Sequence, residues 1–318
     1  MNHDWRDAKP AAIAQALSVA QDKPDGGWFV VDASRTLQRL TKAQRYVIND
    51  HELVAWKERE RTIRLAPGAC PHMGALLADA RIDRGCLVCP WHGLELDARR
   101  PTLGWKPFRT HDDGVLTWVQ FDADSPTATD EPILPTRPSV FLDGVIRREA
   151  RCEPRDIIAN RLDPWHGAHF HPYAFTRLEV TEHSVHELHL RVGYRVARGF
   201  EVEVGARFDC PDPRTIVMTI TDGEGKGSVV ETHATPMYSA QSSFARSNND
   251  LGPRTAIIEA TLATSDRAGF EHARRAAAIA RPLIKSMAGR LWRDDARYAE
   301  RLYQLRVRAT NEGDLPTS

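Results

Sequence analysis

Two short loops constrain this chain more than any other feature: Cys70-Pro71-His72-Met73-Gly74 and Cys89-Pro90-Trp91-His92-Gly93. Each offers one thiol and one imidazole in the same Pro and Gly setting, with sixteen residues between His72 and Cys89. The fold around them must bring two nearly equivalent loops together. The five cysteines, Cys70, Cys86, Cys89, Cys152 and Cys210, are too few for a disulfide framework in 318 residues, and three of them crowd into this one segment. That clustering points to metal.

A structural zinc site with two Cys and two His is compatible with the residue types, but zinc sites more often pair like with like along the chain. Here each loop carries a mixed pair, so each can give one ligand to each of two irons. Two thiolates on one iron and two neutral imidazoles on the other define a Rieske-type [2Fe-2S] centre, with a potential roughly several hundred millivolts above an all-cysteine plant-type cluster. On this reading Cys70, His72, Cys89 and His92 are the cluster ligands. Gly74 and Gly93 let backbone amides approach the sulfurs, and Pro71 and Pro90 stiffen the loops. Cys86, three residues before Cys89, is the competing thiol and reads as a small packing residue.

Charge narrows the partners. The 43 Lys and Arg balance 43 Asp and Glu, so nothing global attracts nucleic acid or an anionic membrane. No run of about 18 apolar residues offers a membrane span, and the N-terminal MNHDWRDAKPAAIAQALSVAQ has no basic stretch ahead of an uninterrupted apolar one. A cytoplasmic protein is expected.

The length suits two domains. After a helical segment in residues 1–24, short β-rich runs at 28–32, 45–50, 51–57, 62–67 and 115–121 predict a small all-β unit over 25–121. Residues 122–138, DADSPTATDEPILPTRP, read as a linker. From 139 to 318 a His-rich segment precedes long alternating runs joined by tight turns, then an Ala/Arg/Leu-rich stretch from Asp266 to Thr310, with Pro282 marking a kink or a fresh helix start. The expectation is an α+β chain: an all-β domain, then an antiparallel sheet covered by a long C-terminal helix. The runs Trp118-Val119-Gln120 and 236–244 are candidate pocket linings.

The segment from Asn160 to Pro172 packs His166, His169, His171 and Asp163 together. A mononuclear Fe(II) that activates O2 needs two imidazoles and one carboxylate on one face. Helical spacing puts His166 and His169 on one face, whereas His171 precedes Pro172 and so can lie beyond the helix, free to turn inward. Geometry leaves both pairs open. The third ligand should be a carboxylate remote in sequence, and the terminal helix offers one. On the C-terminal helix Ile284, Met287, Leu291, Tyr298, Leu302 and Leu305 mark an apolar stripe, with Asp294 and Asp295 on either side of its centre. A carboxylate beside a core is costly unless paired or metal-bound, and periodicity does not choose between the two.

CPHMGALLADARIDRGCLVCPWHGLELD resembles the cluster-binding segment of the Rieske non-haem iron oxygenases, and the resemblance extends from about Trp28 to about Leu305. The family pattern Asn-x-x-Asp-x-x-His-x-x-x-x-His fits Asn160, Asp163, His166 and His171, which leaves His169 a spare. The family's aromatic-x-acidic-Asp-x-x-x-x-Glu segment fits 292–300 and assigns the third ligand to Asp295, with Glu300 on the solvent side. The resemblance implies a helix-grip catalytic domain and a terminal oxygenase component. Electrons from NAD(P)H, delivered by a separate ferredoxin or flavin reductase, would pass through the [2Fe-2S] cluster to a mononuclear Fe(II), and O2 would hydroxylate or demethylate a small apolar molecule. Asn160 and Asp163 are then catalytic-site residues. Asp163 is the electron bridge between a cluster histidine of one subunit and an iron-ligand histidine of the next, which implies a homotrimer. A catalytic part of about 180 residues favours a monooxygenase over a dioxygenase. The eleven Arg and Lys between Asp266 and Thr310 form a solvated face, or a dock for an acidic ferredoxin. The competing class is a Rieske electron-transfer protein whose C-terminal domain only binds a ligand or partner.

Overall fold

The computed structural model describes residues 8–58, 62–197, 200–244 and 252–312. The chain forms two compact units. One comprises residues 25–132 with 235–254, the other residues up to 24 with 133–234 and 255 onward.

The first unit is built from three antiparallel three-stranded sheets among its described residues. Trp28–Ala33 pairs with Leu116–Gln120, which pairs with Arg109–Asp112. Gln44–Ile48, His51–Lys57 and Ile63–Pro67 form the second sheet. Its first turn is Asn49-Asp50, both at positive φ (49° and 61°), the two-residue hairpin for which Asn and Asp are suited. The central strand of this sheet is buried on both faces. Leu53 and Ala55 join a core with Phe29, Val31 and Leu65, whereas Val54 and Trp56 join another that contains Cys70 and Cys89. The period of two along one strand thus feeds two cores. The third sheet, Arg81–Asp83, Cys86–Val88 and Glu95–Leu96, carries the second cysteine loop on its last connection. Cys86 is half-buried there, opposite Asp83, rather than fully buried.

The second unit holds a seven-stranded antiparallel sheet. Strands from Phe175–His183 to Arg254–Ala263 follow one another as a meander, and Leu142–Ala150 closes the other edge beside Arg254–Ala263. Gly223, Gly225 and Gly227 supply the left-handed turn expected after Asp222. The helix Ala277–Glu312 lies on the edge strand, and a Cβ at Gly144 would stand 2.5 Å from Ile284 Cγ2, so only glycine permits that approach. Pro282 sits within this helix; the fresh start is at Ala277, after the short helix Phe270–Arg275. Arg306 fastens the far end to the start of helix Pro154–Leu162 through Glu153 and Asp156.

The α+β architecture is as expected, but the division differs in detail. The helix Pro10–Gln21 buries Ala16, Leu17 and Ala20 in the core that holds Ile157 and Ile158, so the described residues 8–24 belong with the second unit. Residues 235–244 and 252–254 belong with the first. The Thr235 hydroxyl donates to Val30 O (2.8 Å), and the amides of Asn49 and Asp50 donate to Pro236 O (2.8 Å) and Met237 O (3.0 Å).

Candidate metal centres

The two cysteine loops fold alike. Cys70 N donates to Ala75 O and Gly74 N to Cys70 O; Cys89 N donates to Leu94 O and Gly93 N to Cys89 O. Gly74 and Gly93 have φ of 78° and 72°. The sulfurs are buried while His72 and His92 are exposed, their rings 4.9 Å apart at 74°. The two thiols interact directly. Burial holds Cys70 above its usual value despite the amide of His72. For Cys89 burial acts in the same direction, but the amide of Trp91, Cys70 itself and the amide of His92 outweigh it and bring the thiol down. The amides that reach the sulfurs are therefore those of residues 72, 73, 91 and 92. The glycines act one step away, by closing each turn. The donor set, two inward thiols and two outward imidazoles, suits a two-iron cluster with its histidine side at the surface.

In the second unit His166, His171 and Asp295 each offer a ligand atom, all within 4.8 Å of one another. The helix Trp165–Phe170 ends before His171, whose backbone (φ −124°, ψ 52°) has left the helical region, as a residue before proline should. His171 thereby turns inward and is 1% exposed, whereas His169 stays on the exposed side of the helix, outside the triad. His171 Nε2 lies 2.7 Å and His166 Nε2 3.1 Å from the same oxygen, Asp295 Oδ1. His166 Nδ1 donates to Asp163 O at 2.5 Å, and His171 Nδ1 faces the Tyr173 hydroxyl at 3.2 Å. The ring nitrogens facing away from Asp295 are engaged, so both Nε2 atoms are the ones aimed at a shared point.

Electrostatics match that geometry. Burial disfavours a charged His166, but Asp163 and Asp295 outweigh it and hold the imidazole up at about 9. Burial alone would raise Asp295, yet hydrogen bonds from His166 and His171 hold it well below the usual carboxylate range. Two imidazole nitrogens and one carboxylate oxygen thus converge on the place a cation would take. Asn160 strengthens the fit: it is fully buried, it lines the same cavity, and among the described residues neither its Oδ1 nor its Nδ2 has a partner. Orphaned amides of this kind are rare in native interiors and mark a missing ligand or ion.

Asp163 caps the chain just before His166. Its Oδ1 accepts from Trp165 N (3.0 Å), and its Oδ2 accepts from the Tyr298 hydroxyl (2.8 Å), whose ring stacks on His166 at 5.1 Å. Burial would raise Asp163, but His166 and Tyr298 draw it below its ordinary value. The helix face differs from the sequence reading. Met287 is 63% and Leu305 46% exposed, and the buried line runs through Ala288, Trp292, Asp295 and Ala299. Asp295 is thus at the centre of the face and Asp294 at its margin, where it accepts from Tyr173 (2.9 Å) beneath Arg290. Glu300, expected on the solvent side, accepts from Arg151 N at 2.8 Å in an exposed contact.

A cavity of about 310 Å³ opens on the triad, walled by Leu190, Val192, Phe208, Met218, Ile220 and Leu291. The runs 118–120 and 236–244 belong to the first unit and contribute nothing to it. Sequence reasoning missed Tyr173 and Glu259, and it placed Tyr298 in the apolar stripe without its bond to Asp163. Glu259 had a visible signal, a carboxylate at the inward position of the apolar strand Ile257-Ile258-Glu259-Ala260-Thr261. It is 5% exposed, and burial raises it against the charge of Arg161 and the hydrogen bonds of Trp292 and Thr232.

Residues 123–310 match a family model described as a domain of unknown function (DUF5914), over more than half of the chain. The chain belongs to this family. Residues 27–110 match the Rieske [2Fe-2S] domain, as the paired loops require. Comparison with curated proteins gave no match. Among solved structures, dicamba monooxygenase bound to dicamba superposes with TM-score 0.66 at 16% identity, covering 92% of each chain. Dicamba monooxygenase with non-heme iron and dicamba gives 0.58 at 15%, covering 92% of this chain and 90% of that one. A mutant of NdmA from Pseudomonas putida CBB5, with caffeine, gives 0.52 at 14% over 81% of each chain. The Rieske oxygenase fold is the one expected from the motifs. Among the described residues no helix is long and apolar enough to cross a membrane.

Proposed function

We propose that this chain is the terminal oxygenase of a Rieske system, hydroxylating or demethylating a small apolar molecule as a monooxygenase. The observation that carries this is the convergence of His166, His171 and Asp295 at the wall of an apolar cavity, in a chain that also holds a Rieske domain. Two imidazoles and one carboxylate with open positions are the donor set of non-haem Fe(II) oxygenases. When bound, that iron supplies O2 activation with electrons that arrive from NAD(P)H through a ferredoxin or flavin reductase and the [2Fe-2S] cluster. Cys70, His72, Cys89 and His92 would hold the cluster, and His166, His171 and Asp295 the iron.

The protein's own contribution is orientation and exclusion of water. Asp163 O and the Tyr173 hydroxyl set the tautomers of His166 and His171, leaving both Nε2 atoms as ligands. The Asp163 carboxylate keeps spare lone pairs for an imidazole of a neighbouring subunit's cluster, so it serves as the electron bridge in a homotrimer. Asn160 lies beside the triad to bind what arrives there. The apolar wall holds the substrate and keeps bulk water out.

Metal analysis with O2-uptake assays tests the reading. Three irons per chain are expected, and an apolar substrate should stimulate O2 consumption in the presence of a surrogate reductase without equivalent hydrogen peroxide. His166→Ala and Asp295→Ala should abolish that consumption and leave the cluster absorbance intact. Two irons per chain and no turnover would favour the electron-transfer alternative.

A further inference from the structure

The cavity is apolar except at a few positions, and Glu259 is the one whose chemistry reaches beyond the metal. Its carboxylate is held from one side only. Trp292 Nε1 (2.6 Å) and the Thr232 hydroxyl (3.2 Å) both donate to Oε2. Among the described residues none donates to Oε1, although Glu259 lines the cavity alongside the triad. The Arg161 guanidinium lies over the rings of Phe208 and Trp292, at 5.6 and 5.9 Å, and supplies positive charge nearby. Burial pushes the carboxyl up, and the charge of Arg161 with the two donors on Oε2 opposes that; a further donor on Oε1 would act in the same direction as these contacts and hold the group as an acceptor. Oε1 faces the cavity and is not sealed in protein, so a ligand donor can reach it and take the place of water there. Trp292 and Asp295 are three residues apart on the same buried helix face, so their side chains are neighbours. A molecule held by Glu259 therefore lies within its own length of the triad.

We infer that Glu259 Oε1 receives a hydroxyl or N–H group of the substrate, so that the cavity selects apolar molecules bearing one hydrogen-bond donor. The inference rests on the oxygenase reading for its word substrate, but its test does not. Glu259 is a binding residue here, and its effect is on affinity and pose.

The test is isothermal titration of the whole oxidised protein, without reductant, against 2-naphthol, 2-methoxynaphthalene and naphthalene. Their ring system is constant and only the polar group changes. The wild type should bind 2-naphthol about tenfold or more tighter than either of the others, the range of a hydrogen bond to a charged group. Glu259→Gln is nearly isosteric, and its carbonyl oxygen takes the Trp292 and Thr232 donors. That turns its NH2 toward the cavity, so the preference should vanish or reverse in favour of the methyl ether. A purely structural Glu259 would leave the ratio unchanged in the variant. An unchanged ratio, equal wild-type affinities, tighter binding of the ether, or no binding of any probe up to its solubility each overturn the inference. Iron content and cluster absorbance of the same samples separate it from its parent. A naphthol preference in protein lacking the third iron sinks the oxygenase reading alone, and three irons without the preference sink only the anchor.

Discussion

Metal binding at the triad should be coupled to proton release, with a slope set by His166. In the metal-free site this imidazole is held at about 9, against an ordinary 6.5, by Asp163 and Asp295. Between pH 7 and 8 a divalent ion must therefore displace a proton from Nε2, and the apparent affinity should rise about tenfold per pH unit. The same displacement has a stability counterpart. His166 has a folded value above its unfolded one, so its contribution to the metal-free protein is complete below about pH 6.5 and lost as pH rises through about 9. At 1.36 kcal/mol per pH unit that contribution is on the order of 3 kcal/mol, and a side chain only 15% exposed is little screened. Asp295 is depressed by the same contacts, so its share is present above about pH 4 and fades as pH falls. The two describe one interaction and are not added. Metal-free protein with its cluster intact should thus be most stable between about pH 4 and 6.5 as far as this site decides. Anaerobic calorimetry with Fe(II) or Co(II), in buffers of different ionisation enthalpy, measures affinity and proton release together. Asp295→Asn should weaken binding and flatten the slope, because the anion that raises His166 is gone. Affinity independent of pH between 7 and 8, without proton release, would refute the assignment of His166 Nε2 as a ligand atom.

Three further outcomes follow from particular contacts. Asp163→Ala should leave both metals bound and stop reoxidation of the reduced cluster by O2 and substrate; rapid reoxidation in stopped-flow absorbance would remove its bridging role. Arg137 forks onto Glu231 at 2.5 and 2.7 Å, and Glu231 is fully buried. Arg137→Met leaves Glu231 with His233 Nε2, at 3.3 Å, as a partner for its charged form and should cost about 2–4 kcal/mol in denaturant melts; a loss below about 1 kcal/mol would contradict the burial argument. Gly144→Ala should lose about 1–3 kcal/mol as its new methyl meets Ile284, with much of the loss recovered in Gly144→Ala/Ile284→Ala. Additive effects of the two substitutions would show that the helix does not rest there.

The local features of this protein were legible in the chain because their causes are local. Loop ligands need only a few residues and their glycines, so the two Cys-Pro loops and the strands around them follow from neighbouring residue types. His171 leaves the helix because the next residue is proline, a steric fact within one dipeptide. Periodicity alone could not choose between Asp294 and Asp295, and the stripe drawn from Met287 and Leu305 was rotated off the true face. The choice is made by packing: Ala288, Trp292, Asp295 and Ala299 are buried, with Trp292 meeting Glu259 of the sheet and Asp295 the two histidines. Tyr298 on Asp163, Trp292 on Glu259 and the attachment of 235–244 to the first unit likewise join residues far apart in sequence. Covalent geometry and short-range sterics settle what a segment can be. Which charged groups meet in a low-dielectric interior depends on where distant segments come to rest, and only the tertiary structure decides that.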